Sequence, residues 1–212
     1  MTIGRGDIEK YAGISANVAT TWIRDGVLLP VPGPGRNKKF EDYEAIVARI
    51  ISVPHAHLRP ANSILAGIAG YVRELVSVGN KFGCKSALAG ERKAKLERAA
   101  IIKNGKDTKL HEVADKWANE LGVSDIPNPT MTMDEVRELE NWVGLRKCIE
   151  GGKQGWMTIA ATNDKGWYVG FTTRKPTQED DLSFITVVKP SYPSTVFLVL
   201  DLLEIFSEAS EN

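Results

Sequence analysis

The sequence predicts a mainly α chain with a small β-sheet, an α+β fold in two parts, and three observations carry that expectation. Apolar residues recur at helical spacing in one segment after another up to about residue 150. Glycines and prolines punctuate those segments at Gly13, Gly26, the run from Pro32 to Gly35, Pro54, Pro127 and Pro129. Beyond Gly151 the apolar stretches become short, β-branched and aromatic, which is the composition of strands. With 42% hydrophobic and 25% charged residues among 212, the chain can bury a core, and this separates it from disordered, fibrous and disulfide-stapled classes.

Residues 7–12 read as a short helix and 16–25 as a second, with Gly13-Ile14-Ser15 as the turn between them. Ser15 is placed to cap the second helix, its hydroxyl accepting from an amide of the first turn. Gly26 is placed to stop that helix, because glycine takes a positive φ without steric cost. From Val31 to Phe40 the prolines and glycines favour extended or turning backbone, so a small hairpin is expected there. A third helix should start at about Glu41, carry Tyr43, Ile46, Val47, Ile50 and Ile51 on one face, and end at Pro54.

Residues 61–82 predict a largely buried helix with a broad stripe of Ile64, Leu65, Ile68, Tyr71, Val72, Leu75 and Val76, and Gly67 and Gly70 would let a neighbour pack closely. Further helices are expected over 86–102, broken by Lys-Asn-Gly-Lys-Asp at 103–107, and over a shorter stretch marked by Leu110, Val113, Ala114, Trp117 and Leu121. Thr132 followed by Glu135 is a capping-box pattern, and it opens a helix whose inward face is Val136, Leu139, Trp142, Val143 and Ile149. Segments 154–161, 167–173 and 182–188, with Asn163-Asp164-Lys165-Gly166 as a turn, read as a three-stranded antiparallel meander. The apolar run from Val196 to Phe206 is compatible with a buried helix capped by Ser194 or with a strand leading into a helix.

Chemistry concentrates near the N-terminus. Gly13 serves a sharp reversal, Ala12 a close approach of two helices, and Ile8, Tyr11, Ile14, Val18, Trp22 and Leu28 would close a miniature core. That leaves Asn17, Thr20, Thr21 and Arg24 outward on the second helix, all hydrogen-bonding types able to reach base edges or phosphates in a major groove. In the hairpin, Arg36, Asn37, Lys38 and Lys39 place three positive charges on a narrow loop suited to the phosphate backbone or a minor groove.

The stretch Ile8-Glu9-Lys10-Tyr11-Ala12-Gly13-Ile14-Ser15, followed by Val18, Trp22-Ile23-Arg24-Asp25-Gly26-Val27-Leu28 and Pro30, resembles the opening of the MerR-like and excisionase-like winged helix-turn-helix families. The resemblance runs through the hairpin to Phe40 and the helix beyond, about the first fifty residues. It implies a DNA-binding domain over residues 1–58, with Ser15, Asn17, Thr20, Thr21 and Arg24 on or beside a recognition helix and Arg36 to Lys39 on a wing. Thr20-Thr21 stand where MerR regulators carry an arginine and an aromatic, so Trp22 alone keeps the aromatic pair and the pattern sits nearer the excisionase-like edge. Clustered cysteines and an uninterrupted coiled-coil helix, marks of the MerR sensors, are missing from the sequence.

Elsewhere the residues point to support rather than chemistry. The net charge is zero, yet 81–109 holds nine Lys or Arg against three acids, and 178–212 holds seven acids against Lys189. This polarisation suits nucleic-acid binding with a distinct tail domain, and the basic helix with Arg92, Lys93, Lys95 and Arg98 reads either as an extended phosphate footprint or as a solvated face. Cys84 and Cys148 lie far apart and read as free buried thiols; His55 and His57 lack a third ligand and read as surface histidines. Trp156, Trp167, Tyr168 and Phe171 would line a ligand pocket in the sheet or pack its core, and Glu179 to Asp181 read as a solvated loop. No Ser-His-Asp or Cys-His constellation and no phosphate-binding glycine loop is present, so neither an enzyme nor a cofactor or metal is expected.

The sequence therefore predicts a cytoplasmic, sequence-specific transcriptional regulator that binds double-stranded DNA as a homodimer, with no apolar run of the roughly 18 residues a membrane span needs. Residues 59–212 would form an α+β domain for oligomerisation, for sensing a small molecule, or for a protein partner. Two other roles fit the same residues: an excisionase-like or phage-type recombination or packaging accessory, and a module whose winged helix contacts protein.

Overall fold

The computed structural model describes residues 2–33, 38–151, 153–161, 167–172 and 196–207, and most of these are helical. Packing divides the chain into two units, one of residues 1–77 with 151–212 and one of residues 78–150. These borders differ from the single boundary expected after residue 58, because the chain returns to the first unit after leaving it.

The first unit opens with strand β1 (Thr2–Gly4), helix α1 (Arg5–Ala12) and helix α2 (Ala16–Arg24). Gly13 ends α1 in the left-handed conformation at φ 66°, which lets Ile14 N–H reach back to Glu9 O at 3.1 Å and reverses the chain within three residues. Ser15, in extended backbone, caps α2 by accepting from Val18 N–H at 3.3 Å. Ile8, Ala12, Ala19, Trp22 and Leu28 are buried between these helices, whereas Tyr11, Ile14 and Val18, expected in the same core, are half-buried. Gly26 turns at φ 77°, and the amides of Val27 and Leu28 fold back onto Trp22 O.

Of the hairpin expected over 31–40, residues 34–37 lie outside the described residues; on either side of them Val31 N–H donates to Lys39 O at 2.8 Å. The hairpin's outgoing arm, β2 (Lys39–Glu41), pairs antiparallel with β1 through Ile3 opposite Phe40. A strand as short as β1 offers too few residues for periodicity to reveal it. Helix α3 (Tyr43–Leu58) then runs through Pro54 instead of ending there. Pro54 forgoes one helical hydrogen bond, but it is itself buried, and the next residue, His55, packs edge-on to the Trp22 ring at 5.3 Å and 90°. The helix closes at Arg59, φ 44°, ahead of Pro60.

Helix α4 (Asn62–Lys81) buries Leu65, Ile68, Val72 and Val76 but leaves Tyr71 45% exposed. A Cβ at Gly67 or Gly70 would meet nothing within 4 Å, so these glycines do not serve close packing. After residue 150 the first unit resumes with β3 (Trp156–Ala161), β4 (Trp167–Thr172), β5 (Val196–Asp201) and the short helix α8 (Leu202–Ser207). Strand β3 is central and antiparallel to both neighbours, in the order β4-β3-β5, with Met157, Ile159 and Leu200 buried. The expected strand 182–188 lies outside the described residues, and its place beside β3 is held by β5, so the closing apolar run is a strand leading into a helix.

The second unit contains the last residues of α4 with helices α5 (Ala87–Lys103), α6 (His111–Glu120) and α7 (Met133–Ile149). Ser86 caps α5, accepting from Ala89 N–H at 3.2 Å. Thr132 and Glu135 form the expected box at the start of α7: Thr132 N–H donates to Glu135 Oε2 at 2.8 Å, and Thr132 Oγ1 accepts from Glu135 N–H at 3.3 Å. Val78, Phe82, Met131, Val136, Leu139, Trp142 and Val143 form its core. Helix α6 buries Ala114 and Ala118, leaving Leu110 and Val113 exposed and Trp117 half-buried, so its inner face is rotated from the expected one. Among the described residues no helix is long and apolar enough to cross a membrane.

Candidate nucleic-acid interface

Helix α2 is held from behind by Trp22, fully buried, and from its start by Ser15; this fixes which residues face outward. Asn17 is exposed in the first turn of the helix, and no side-chain partner for it occurs among the described residues. Thr21 is half-buried. Thr20 is exposed, but its hydroxyl is engaged: it donates to Ala16 O at 2.8 Å and accepts from Arg5 Nη1 at 3.3 Å.

Arg24 is also committed. Its Nε and Nη2 donate to the two oxygens of Asp25 at 2.7 and 3.1 Å, and Asn62 Nδ2 donates to Asp25 Oδ2 at 2.6 Å. Pairing with Arg24 first, and the Asn62 amide second, hold the Asp25 carboxyl below the usual carboxylate range, while Asp25 raises the Arg24 guanidinium further. The helix thus presents a guanidinium whose charge is matched beside it. Lys38 and Lys39 are exposed, with Lys39 in β2, while Arg36 and Asn37 lie outside the described residues.

Two groups that the sequence did not single out set this geometry. Glu44, in the first turn of α3, is 1% exposed and forms an ion pair with Arg73 of α4 through both carboxylate oxygens. Glu44 also accepts from Leu29 N–H at 3.2 Å, and Arg73 Nη2 donates to Val27 O at 2.9 Å. The pair therefore fastens the turn between α2 and the hairpin to two helices. Nothing in the sequence singles the pair out, since Glu44 follows two other acids, Glu41 and Asp42, and Arg73 stands beside Glu74. Arg5 is the other, at the start of α1, where its Nε forms an ion pair with Glu9 Oε1 at 2.8 Å.

The basic helix α5 faces acids of its own unit. Lys95 pairs with Glu120, Arg98 with Glu140, and Lys103 with Asp115 at 2.8 Å, while Lys93 Nζ donates to Phe82 O at 2.8 Å. These contacts favour packing over an extended phosphate footprint for the four residues. Cys84 and Cys148 are free and buried, and burial pushes the Cys84 thiol up. Among the described residues no three His, Cys, Asp or Glu gather to hold a metal.

A cavity of about 380 Å³ lies in the second unit, lined by Ala94, Arg98, Trp117, Glu140 and Val143 among others. In the sheet, Trp156 and Phe171 are half-buried, and Glu179 to Asp181 lie outside the described residues. No family model matches the chain, and no curated protein or solved structure matches it either.

Proposed function

We propose that residues 1 to about 58 form a winged helix-turn-helix that binds double-stranded DNA, and that the protein is a sequence-specific transcriptional regulator acting as a homodimer. The observation that supports this reading is the outward face of α2: a capped helix anchored by Trp22, with Asn17, Thr20 and Arg24 exposed beside a basic hairpin bearing Lys38 and Lys39. A helix so held can enter a major groove while the hairpin meets the backbone, and a dimer would read two half-sites. A small-molecule or protein partner for the remainder of the chain is part of the same reading, and an open groove of the second unit, where Ala94, Trp117 and Val143 stand among Glu91, Lys95, Arg98 and Glu140, is one place it could sit.

Selection of bound duplexes from a random pool by the full-length protein tests the reading. A shared motif with two half-sites is expected, and equal retention of every duplex at physiological salt overturns it. A second reading, in which α2 contacts protein, is favoured by the Arg24–Asp25 pair, which leaves this face less cationic than the sequence suggests. It expects no DNA retention even at low salt.

A further inference from the structure

We propose that Arg5 is a phosphate-contacting residue of the DNA interface and that Thr20, instead of reading a base, positions it; this rests on the DNA-binding reading above. Arg5 belongs to α1, yet its guanidinium reaches α2, where Nη1 donates to Thr20 Oγ1 at 3.3 Å. Its Nε side is fixed by the ion pair with Glu9 Oε1, four residues along the same helix. The planar group is therefore oriented by one hydrogen bond from Nη1 and by the nearby Glu9 carboxylate. The side chain stays 46% exposed, so an incoming anion can reach it.

Such an arrangement has specific consequences. A guanidinium so oriented loses little rotamer freedom on donating to a phosphate oxygen. Thr20 cannot use its hydroxyl proton on a base while that proton lies on Ala16 O, and one of its lone pairs already accepts from Arg5. Residues 17, 20 and 24 share a face of α2 by helical spacing, so Arg5 Nη1, bound at Thr20, lies on the face carrying Asn17. A side chain that comes from the first helix of such a pair approaches where that helix crosses the backbone, not the groove floor.

The test uses full-length protein, a duplex from the selection and a random duplex, with titrations over a range of salt. Arg5→Ala should weaken both duplexes by about ten-fold, the loss of one charge-assisted hydrogen bond, and lower the salt slope by about one. Thr20→Val should weaken binding less and leave the slope unchanged, and adding it to Arg5→Ala should cost nothing more. Unchanged melting of each variant excludes misfolding as the cause. If Arg5→Ala binds as the wild type does, or changes sequence preference at constant slope, the phosphate assignment falls while the DNA reading stands. Additive losses in the double variant overturn the positioning role of Thr20. Failure of the wild type to retain any duplex overturns both readings together.

Discussion

Glu44 and Arg73, 29 residues apart, meet as a pair in which the carboxylate is 1% and the guanidinium 15% exposed. Breaking such a pair from one side strands a buried charge, whereas replacing both partners with apolar groups removes the desolvation penalty as well as the attraction. Arg73→Met should therefore cost about 3 kcal/mol in urea unfolding, and Glu44→Leu with Arg73→Met should recover most of the loss. Neither residue was legible as a partner, since a long-range pair leaves no local spacing to read. Asp25 makes the opposite case: its neighbour Arg24 was legible as exposed, but not as neutralised. Because the Asp25 carboxyl is held below its usual range, the stability its pairing contributes is present at neutral pH and is lost as pH falls through the lowered value in acid. Arg24 consequently stays paired at physiological pH, and Asp25→Asn is expected to free it, giving tighter binding of all duplexes and a salt slope steeper by about one in the same titrations.

At the scale of elements, what the sequence discloses depends on how local the cause is. Helix starts were legible where caps are made within four residues, as Ser15 and Thr132 show. Thr132→Ala should cost about 1 kcal/mol by chemical denaturation, and because the Thr132 amide and hydroxyl hold the Glu135 carboxyl below its usual range, the contribution of that carboxylate should fade in acid. Helix faces were less legible, as α6 shows, since its inner side is chosen by α5 and not by its own larger apolar residues. Close approach was legible at Ala12, which is buried, but was misread for the glycines of α4. Gly67 and Gly70 face open space, whereas a Cβ at Gly79 would lie 2.1 Å from Trp142 Cζ2 and one at Gly90 2.7 Å from Val143 Cγ2. The two sets should respond with opposite signs: Gly67→Ala should raise the melting temperature through helix propensity, by roughly 1 kcal/mol, and Gly79→Ala should lower it by overpacking, at about 1–3 kcal/mol. A stabilised Gly79→Ala would mean that Trp142 yields readily.

Across the whole chain, the sequence suggested a DNA-binding region complete by residue 58, yet the unit containing it also draws on the C-terminus. Arg49 of α3 donates from Nε and Nη2 to Ile205 O at 3.0 and 2.8 Å, and the Tyr11 ring lies 6.4 Å from that of Phe206. Leu202, Ile205 and Phe206 are buried at 0%, 8% and 7% exposure, and Leu202 N–H donates to Gly155 O at 2.9 Å. Burying each such side chain is worth about 1.5–3 kcal/mol, so three of them rival the roughly 5–15 kcal/mol that keeps a domain folded. The second unit has its own core. Deleting residues 202–212 should therefore act selectively. Hydrogen exchange of the truncated chain should show amides of 5–24 losing protection while those of 87–103 and 133–149 keep it, and a fragment of residues 1–58 should bind the selected duplex far more weakly than the full chain. Retained protection over 5–24 would make α1 and α2 independent of α8, and with it the N-terminal region would regain the autonomy its sequence implies.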